Sequence, residues 1–166
     1  MAKDKAAREK TKTNAMRQLD SAGISYRTME YEVDESDLSG VHVAAQLGQP
    51  CEQIFKTLVL KDEKGEHYVC CIPVDQELDL KKVAKACKTK KVEMLPMKEL
   101  LPTTGYIRGG CSPIGMKKTF HTTVQESARN VDTIFFSGGK VGYQVEVAPQ
   151  DLEKMVRLEY GDVICG

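Results

Sequence analysis

Two neighbouring runs constrain this chain most: Ile54-Phe55-Lys56-Thr57-Leu58-Val59-Leu60-Lys61, and a second apolar stretch over 67–74. Both are short, apolar and rich in β-branched and aromatic residues, and Asp62-Glu63-Lys64-Gly65 between them carries turn formers. The pattern predicts an antiparallel hairpin with strands over 54–61 and 67–74. Such strands belong in a core, which makes the lysine inside the first one conspicuous.

Around the hairpin the periodicities mix. Helical spacing predicts helices over 4–22 (Ala7, Ala15, Met16 and Leu19, closed by Gly23), over 40–47 (closed by Gly48 and Pro50) and over 80–88 (capped by Asp79). Pro96 at a first helical position starts a short helix, and Pro149 opens a last one reaching residue 156. Alternation predicts further strands over 24–33, 92–95, 118–124, 131–136 and 141–148, the last two joined by a turn at Ser137-Gly138-Gly139-Lys140. No repeat, linker or low-complexity segment interrupts the 166 residues, so residues 1–166 read as one α+β domain with a curved, mixed sheet.

Charge and cysteine usage exclude several function classes. Lys plus Arg equals Asp plus Glu at 24 each, so net charge is zero, which disfavours sequence-independent binding to long nucleic acid. No run approaches the roughly 20 apolar residues of a membrane helix, and residues 1–12 are too charged for a secretory signal. A cytoplasmic location is the default expectation. Six cysteines (51, 70, 71, 87, 111 and 165) form no C-x-x-C, which points to reduced structural thiols and no metal or redox cofactor. Cys70 and Cys71 are expected on opposite strand faces, and Cys111, in a glycine-rich loop, is expected to be exposed. His42, His67 and His121 share no metal-ligand spacing.

Three features carry candidate chemistry. Lys56 either snorkels to solvent or faces a pocket, where it is a fixed cation able to hold an anion or polarise a carbonyl. Gly109-Gly110 and Gly138-Gly139 follow strands, and are either tight turns or places where backbone N–H groups approach a ligand. Lys81, Lys82, Lys85, Lys88, Lys90 and Lys91 crowd one helix, as a solvated face or a phosphate-contacting edge.

Five pieces occur together: Phe55-Lys56-Thr57-Leu58-Val59; Lys90-Lys91-Val92-Glu93-Met94; Thr104-Gly105-Tyr106-Ile107-Arg108-Gly109-Gly110-Cys111-Ser112-Pro113-Ile114-Gly115; Ser137-Gly138-Gly139-Lys140; and Ala148-Pro149-Gln150-Asp151-Leu152. In this order and spacing, over about residues 12–164, the chain resembles the YbaK/EbsC family, and within it the Cys-tRNA(Pro) deacylase branch. The resemblance implies a mixed, barrel-like β-sheet surrounded by helices, as in the editing insertion of bacterial prolyl-tRNA synthetases and in stand-alone alanyl-tRNA(Pro) deacylases. It implies a cleft for the 3′ end of aminoacyl-tRNA and removal of cysteine from tRNA(Pro), or of alanine in the nearest alternative. A non-catalytic module that binds aminoacyl-tRNA or a synthetase is the other reading.

On this resemblance Lys56 is the principal active-site residue, with Gly109 and Gly110 amides receiving an oxyanion. Tyr31, Ser137, Gly138 and Gln144 face the substrate, and Lys81, Lys82 and Lys85 face tRNA, with prolyl-tRNA synthetase as a partner. Gln144 departs from the branch, which often has an aspartate there. The physics suits an editing enzyme. Cysteine is close to proline in size, and a synthetase pocket rejects near-isosteres by only about 1–3 kcal/mol. The resemblance also implies that the substrate's own thiol attacks its ester, so that positioning, worth about 7–11 kcal/mol, replaces a protein nucleophile.

Overall fold

The computed structural model describes residues 12–33, 36 and 39–166. Along the chain come α1 (Asn14–Ser21), β1 (Arg27–Glu30), α2 (Gly40–Leu47), β2 (Phe55–Asp62), β3 (His67–Pro73), α3 (Leu80–Ala86) and β4 (Val92–Met94). Then follow α4 (Met97–Thr104), β5 (His121–Gln125), β6 (Ile134–Ser137), β7 (Tyr143–Val147), α5 (Pro149–Met155) and β8 (Leu158–Gly161), with short 3-10 turns at Cys51–Gln53 and Glu126–Asn130.

The strands form two sheets. One runs β4-β2-β3-β5-β8, and is mixed: β2 is antiparallel to β3 and β4, whereas β3–β5 and β5–β8 are parallel. The other is antiparallel, β1-β7-β6. A parallel bridge between Ile54 and Phe135 joins them where β2 begins. The expected α+β architecture with a mixed sheet is present.

The hairpin forms as the sequence predicts, with Phe55 opposite Pro73 and Lys61 opposite His67. Asp62 holds the turn, its carboxylate accepting from the N–H groups of Lys64 and Glu66 at 2.9 Å each, from the Tyr68 hydroxyl at 2.9 Å and from Thr89 at 3.1 Å. Cys70 and Cys71 do point to opposite faces. Cys71 joins the main core with Phe55, Val59, Val124 and Phe136, and Cys70 joins a second cluster under α3 with Leu60, Ile72 and Val83.

Several boundaries differ from the periodic reading. Among the described residues, the first helix starts at Asn14, because Thr13 caps it by accepting from the Met16 N–H at 3.1 Å; residues 1–11, including Ala7, lie outside the described part. Asp79 caps α3 as predicted, but the helix ends at Ala86, since Lys88 adopts a left-handed φ of 57°. Pro96 is the N-cap of α4 and not its first helical residue. The predicted strands over 24–33, 118–124, 131–136 and 141–148 shorten or shift by a few residues at their ends. β8 has no counterpart in the sequence reading.

Candidate active site

A half-open cleft of about 600 Å³ lies where the two sheets meet, a size suited to a small-molecule or nucleoside-sized ligand. One wall is the edge of β2, from Ile54 to Val59. β4 pairs only with residues 60–62 of β2, so between that pairing and the Ile54–Phe135 bridge the edge has no strand beside it. The Val59 carbonyl accepts from Leu95 N–H at 3.0 Å, facing the β4 side. By alternation, Thr57 turns its N–H and C=O out of the same edge, beyond the end of β4 and into the cleft.

Lys56 lines this cleft, next to that open edge. Burial lowers the pKa of its ammonium, against the opposing pull of the Glu77 and Asp75 carboxylates. A cation kept on a strand against a desolvation cost has the electrostatics of a functional group. Arg108, to which the sequence reading gave no role, supplies a second cation to the lining.

The facing wall comes from the β1-β7-β6 sheet. Ser137 and Gln144 are direct partners in the β6–β7 register, so their side chains leave the sheet on one face, and both line the cleft. Tyr31, which follows β1 and donates its N–H to Gly142 O at 2.9 Å, also lines it. Ser137 Oγ accepts from the Gly139 N–H at 3.1 Å, leaving its own hydroxyl proton to donate. α2 closes the side of the cleft through Gly40, whose Cβ, if present, would stand 2.4 Å from the Val74 side chain.

The glycine pairs divide. Gly109, at φ 84°, lines the cleft. Gly110 does not. Its N–H donates to Ile107 O at 3.0 Å, and a Cβ on it would lie 3.1 Å from Val141 N. Of the two amides expected to face a ligand, the Gly110 N–H is thus already engaged, and only Gly109 lines the cleft. Gly138 is likewise turned away from the cleft. Its N–H donates to Tyr143 O, its carbonyl accepts from the Thr13 hydroxyl, and a Cβ there would lie 2.8 Å from Met16 Cε. The tight-turn reading holds for this pair, which seats α1.

The loop carrying Arg108 and Gly109 is closed by Tyr106, whose hydroxyl donates to Ile114 O. That closure buries Cys111, only 8 % exposed, contrary to the expectation from its glycine-rich surroundings; Cys165 is the exposed cysteine. Cys111 borders the cleft, but burial pushes its thiol up to about 12, so it stays protonated and is no nucleophile at neutral pH.

The candidate tRNA-facing lysines lie on α3, away from the cleft lining. Lys81 and Lys85 are exposed. Lys82 is engaged in fastening the C-terminal segment, reaching Asp162 at 3.1 Å and Ile164 O at 2.8 Å. Beside the cleft, Met94 and Met97 are 43 % and 59 % exposed and form an apolar lip that sequence reasoning missed. No group of three metal-ligating side chains occurs among the described residues, and no described helix is long and apolar enough to cross a membrane.

Known proteins place the chain. The family model of the aminoacyl-tRNA editing domain matches residues 39–155. A protein of Enterococcus faecalis, which carries the provisional name Cys-tRNA(Pro)/Cys-tRNA(Cys) deacylase EbsC, is 47% identical over 159 residues, 95% of this chain and 97% of its own. Two crystal structures share the fold. The hypothetical protein APE2540 has a TM-score of 0.83 at 22% identity, over 92% of this chain and 100% of its own. A protein described provisionally as a trans-editing enzyme for prolyl-tRNA synthetase has 0.80 at 21%, over 92% and 96%. The chain belongs to the aminoacyl-tRNA editing domain family.

Proposed function

We propose that this protein is a stand-alone deacylase that removes cysteine from tRNA(Pro), working in the cytoplasm. The observation that carries the reading is the convergence of Lys56, Gly109, Tyr31, Ser137 and Gln144 on one cleft, in a chain 47% identical to the relative named a Cys-tRNA(Pro)/Cys-tRNA(Cys) deacylase.

The cleft offers donors and cations, its one bordering thiol is held protonated, and its lining holds no histidine or carboxylate to activate the hydroxyls of Ser39, Thr57 or Ser137 as nucleophiles. Substrate-assisted chemistry fits such a lining. The cysteinyl sulfur attacks its own ester carbon, a C–S bond forms, and the C–O bond to the terminal ribose breaks. The thiol proton ends on the departing ribose oxygen, leaving free tRNA and a cyclic thioester that water opens to cysteine. The protein's part is to fold the aminoacyl group into the attacking conformation and to stabilise the oxyanion. Lys56 supplies the charge, with the N–H groups of Gly109 and Thr57, both residues of the cleft lining, as backbone donors. Ser137 and Tyr31 orient the aminoacyl group, and the apolar lip of Met94 and Met97 receives the terminal base. Lys81 and Lys85 meet tRNA phosphates at a distance. With net charge zero such binding is weak, and prolyl-tRNA synthetase as a partner would deliver the tRNA.

The test is a deacylation panel of Cys-, Ser-, Ala- and Pro-tRNA(Pro), with Lys56→Ala as control. Cys-tRNA(Pro) is expected to be cleared fastest, because serine and alanine lack the thiol. If alanine is cleared as fast as cysteine, the reaction uses water instead, and the substrate assignment fails. If no ester is cleared, the protein is a binding module.

A further inference from the structure

One polar group in the cleft lacks a partner. Gln144 is 7 % exposed, and its Oε1 is buried without a hydrogen bond. Two other buried side-chain oxygens among the described residues lack partners, on Thr123 and Ser127, but neither borders the cleft. A buried amide oxygen without a partner forfeits hydration for nothing in the empty protein. Gln144 lines the cleft, so a half-turn of its amide would bring that unpartnered oxygen to a ligand there.

The cleft's charged lining groups narrow the choice of ligand atom. Lys56 and Arg108 are donors only, and serve the ester and phosphate end of an aminoacyl-tRNA. The aminoacyl group brings its own cation, the α-ammonium, which those two side chains repel. It needs a neutral or negative acceptor on the wall across from β2. Ser137 already accepts one bond from Gly139, whereas Gln144, beside it in register, accepts none. The substrate thiol is the competing donor, but S–H donates weakly and a charged N–H strongly. Rotation about the terminal torsion of Gln144, a broad two-fold well, exchanges its nitrogen and oxygen at the cleft wall.

We propose that Gln144 is a specificity-determining residue whose amide oxygen receives the substrate's α-ammonium, so that the enzyme accepts aminoacyl esters with a free amine and discriminates against N-acylated ones, peptidyl esters included. This rests on the editing reading. It gives the glutamine a task that a charged carboxylate is not needed for: a neutral acceptor holds the ammonium without adding an anion beside Lys56.

The experiment compares Cys-tRNA(Pro) with N-acetyl-Cys-tRNA(Pro), whose thiol and ester are intact. Wild type is expected to favour the free amine by roughly ten- to a hundredfold in kcat/KM. Gln144→Met is expected to collapse that preference towards one, and Gln144→Glu, which keeps an acceptor, to retain it. A merely structural defect slows both esters alike and leaves the ratio where it was. If wild type clears both esters equally, or if Gln144→Met keeps the wild-type ratio, the inference is overturned while editing stands. If wild type clears neither, the editing reading falls and this inference with it. Should Gln144→Met not fold, the wild-type ratio and Gln144→Glu still decide.

Discussion

Replacing Tyr106 by phenylalanine removes one oxygen from the loop that presents Arg108 and Gly109. The ring sits in the main core at 8 % exposure, and its hydroxyl donates to the carbonyl of Ile114, a residue with no exposed surface. Phenylalanine keeps the ring packing and strands that carbonyl without a donor, which costs about 1–3 kcal/mol. For a chain of this size each kcal/mol moves Tm by about 2–4 °C, so Tm is expected to fall by about 2–12 °C at neutral pH. The deficit has a pH signature. Burial pushes the Tyr106 hydroxyl up to about 12 from an ordinary 10, so the fold favours its protonated form. Wild type therefore loses stability as pH rises from about 10 towards 12, where the unfolded chain ionises first. The variant has no such group, and the gap between the two proteins should narrow over that range. Thermal unfolding followed by circular dichroism at pH 7 and pH 11 checks both statements. A Tm within 1 °C of wild type at neutral pH, or a gap that widens in alkali, refutes the reasoning.

Lys56→Met should lower kcat/KM on Cys-tRNA(Pro) by about 10²–10³-fold, the scale for losing one oxyanion-stabilising group. Its Tm should stay level or rise, because burial disfavours the charged lysine in the fold at neutral pH. Asp62→Asn should weaken the fold at neutral pH, with a deficit that shrinks on acidification. Burial raises the Asp62 pKa, but hydrogen bonds from Tyr68, Glu66, Lys64 and Thr89 outweigh it, so the net shift is downward. That contribution is complete above the ordinary carboxylate value and is lost as pH falls through the lowered one, which a urea titration at several pH values would track. Gly110→Ala places a Cβ 3.1 Å from Val141 N, a backbone atom that cannot swing aside, and should cost about 1–3 kcal/mol in chemical denaturation. Lys81→Glu combined with Lys85→Glu should raise KM for aminoacyl-tRNA and flatten its dependence on salt without lowering kcat, if those side chains meet phosphates.

What the sequence made legible was local. The 62–65 turn, the Asp79 cap and the Gly48 stop are each decided within a few residues, and each formed where its chemistry requires. Lys56 was conspicuous because a charge interrupts an apolar run, a signal readable without coordinates. What escaped was non-local. Leu158–Gly161 is four residues of ordinary composition, and it is a strand only because β5 lies beside it in parallel. Cys111 was expected in solvent because glycines surround it, yet the Tyr106 hydroxyl, bonded to Ile114 from eight residues away, folds the loop over it. Gly109 and Gly110 are chemically identical and adjacent. Only the strand-connecting segment behind Gly110, at Lys140 and Val141, tells the packed glycine from the one facing the cleft.

The cleft itself traces to one breaker. β4 covers β2 only over residues 60–62, and Pro96 then turns the chain into α4. Leu95 makes the last contact by donating to Val59 O, and Met97, which would supply the next rung opposite Thr57, is already the first residue of α4, so the ladder stops there. The edge of β2 from Lys56 to Leu58 is consequently left open in the middle of the molecule. An open edge is ordinarily a liability, since it templates pairing with other chains. Here the second sheet, α2 and the Arg108–Gly109 turn wall it in, so a small ligand can reach the backbone of Thr57 where an intact strand has no width to enter. Filling the edge with a longer β4 would give a better sheet and no site. The fold thus forgoes backbone hydrogen bonds along β2 and leaves the Thr57 N–H and C=O free at a cleft wall beside Lys56, an oriented donor and a cation of the kind that can stabilise a developing oxyanion.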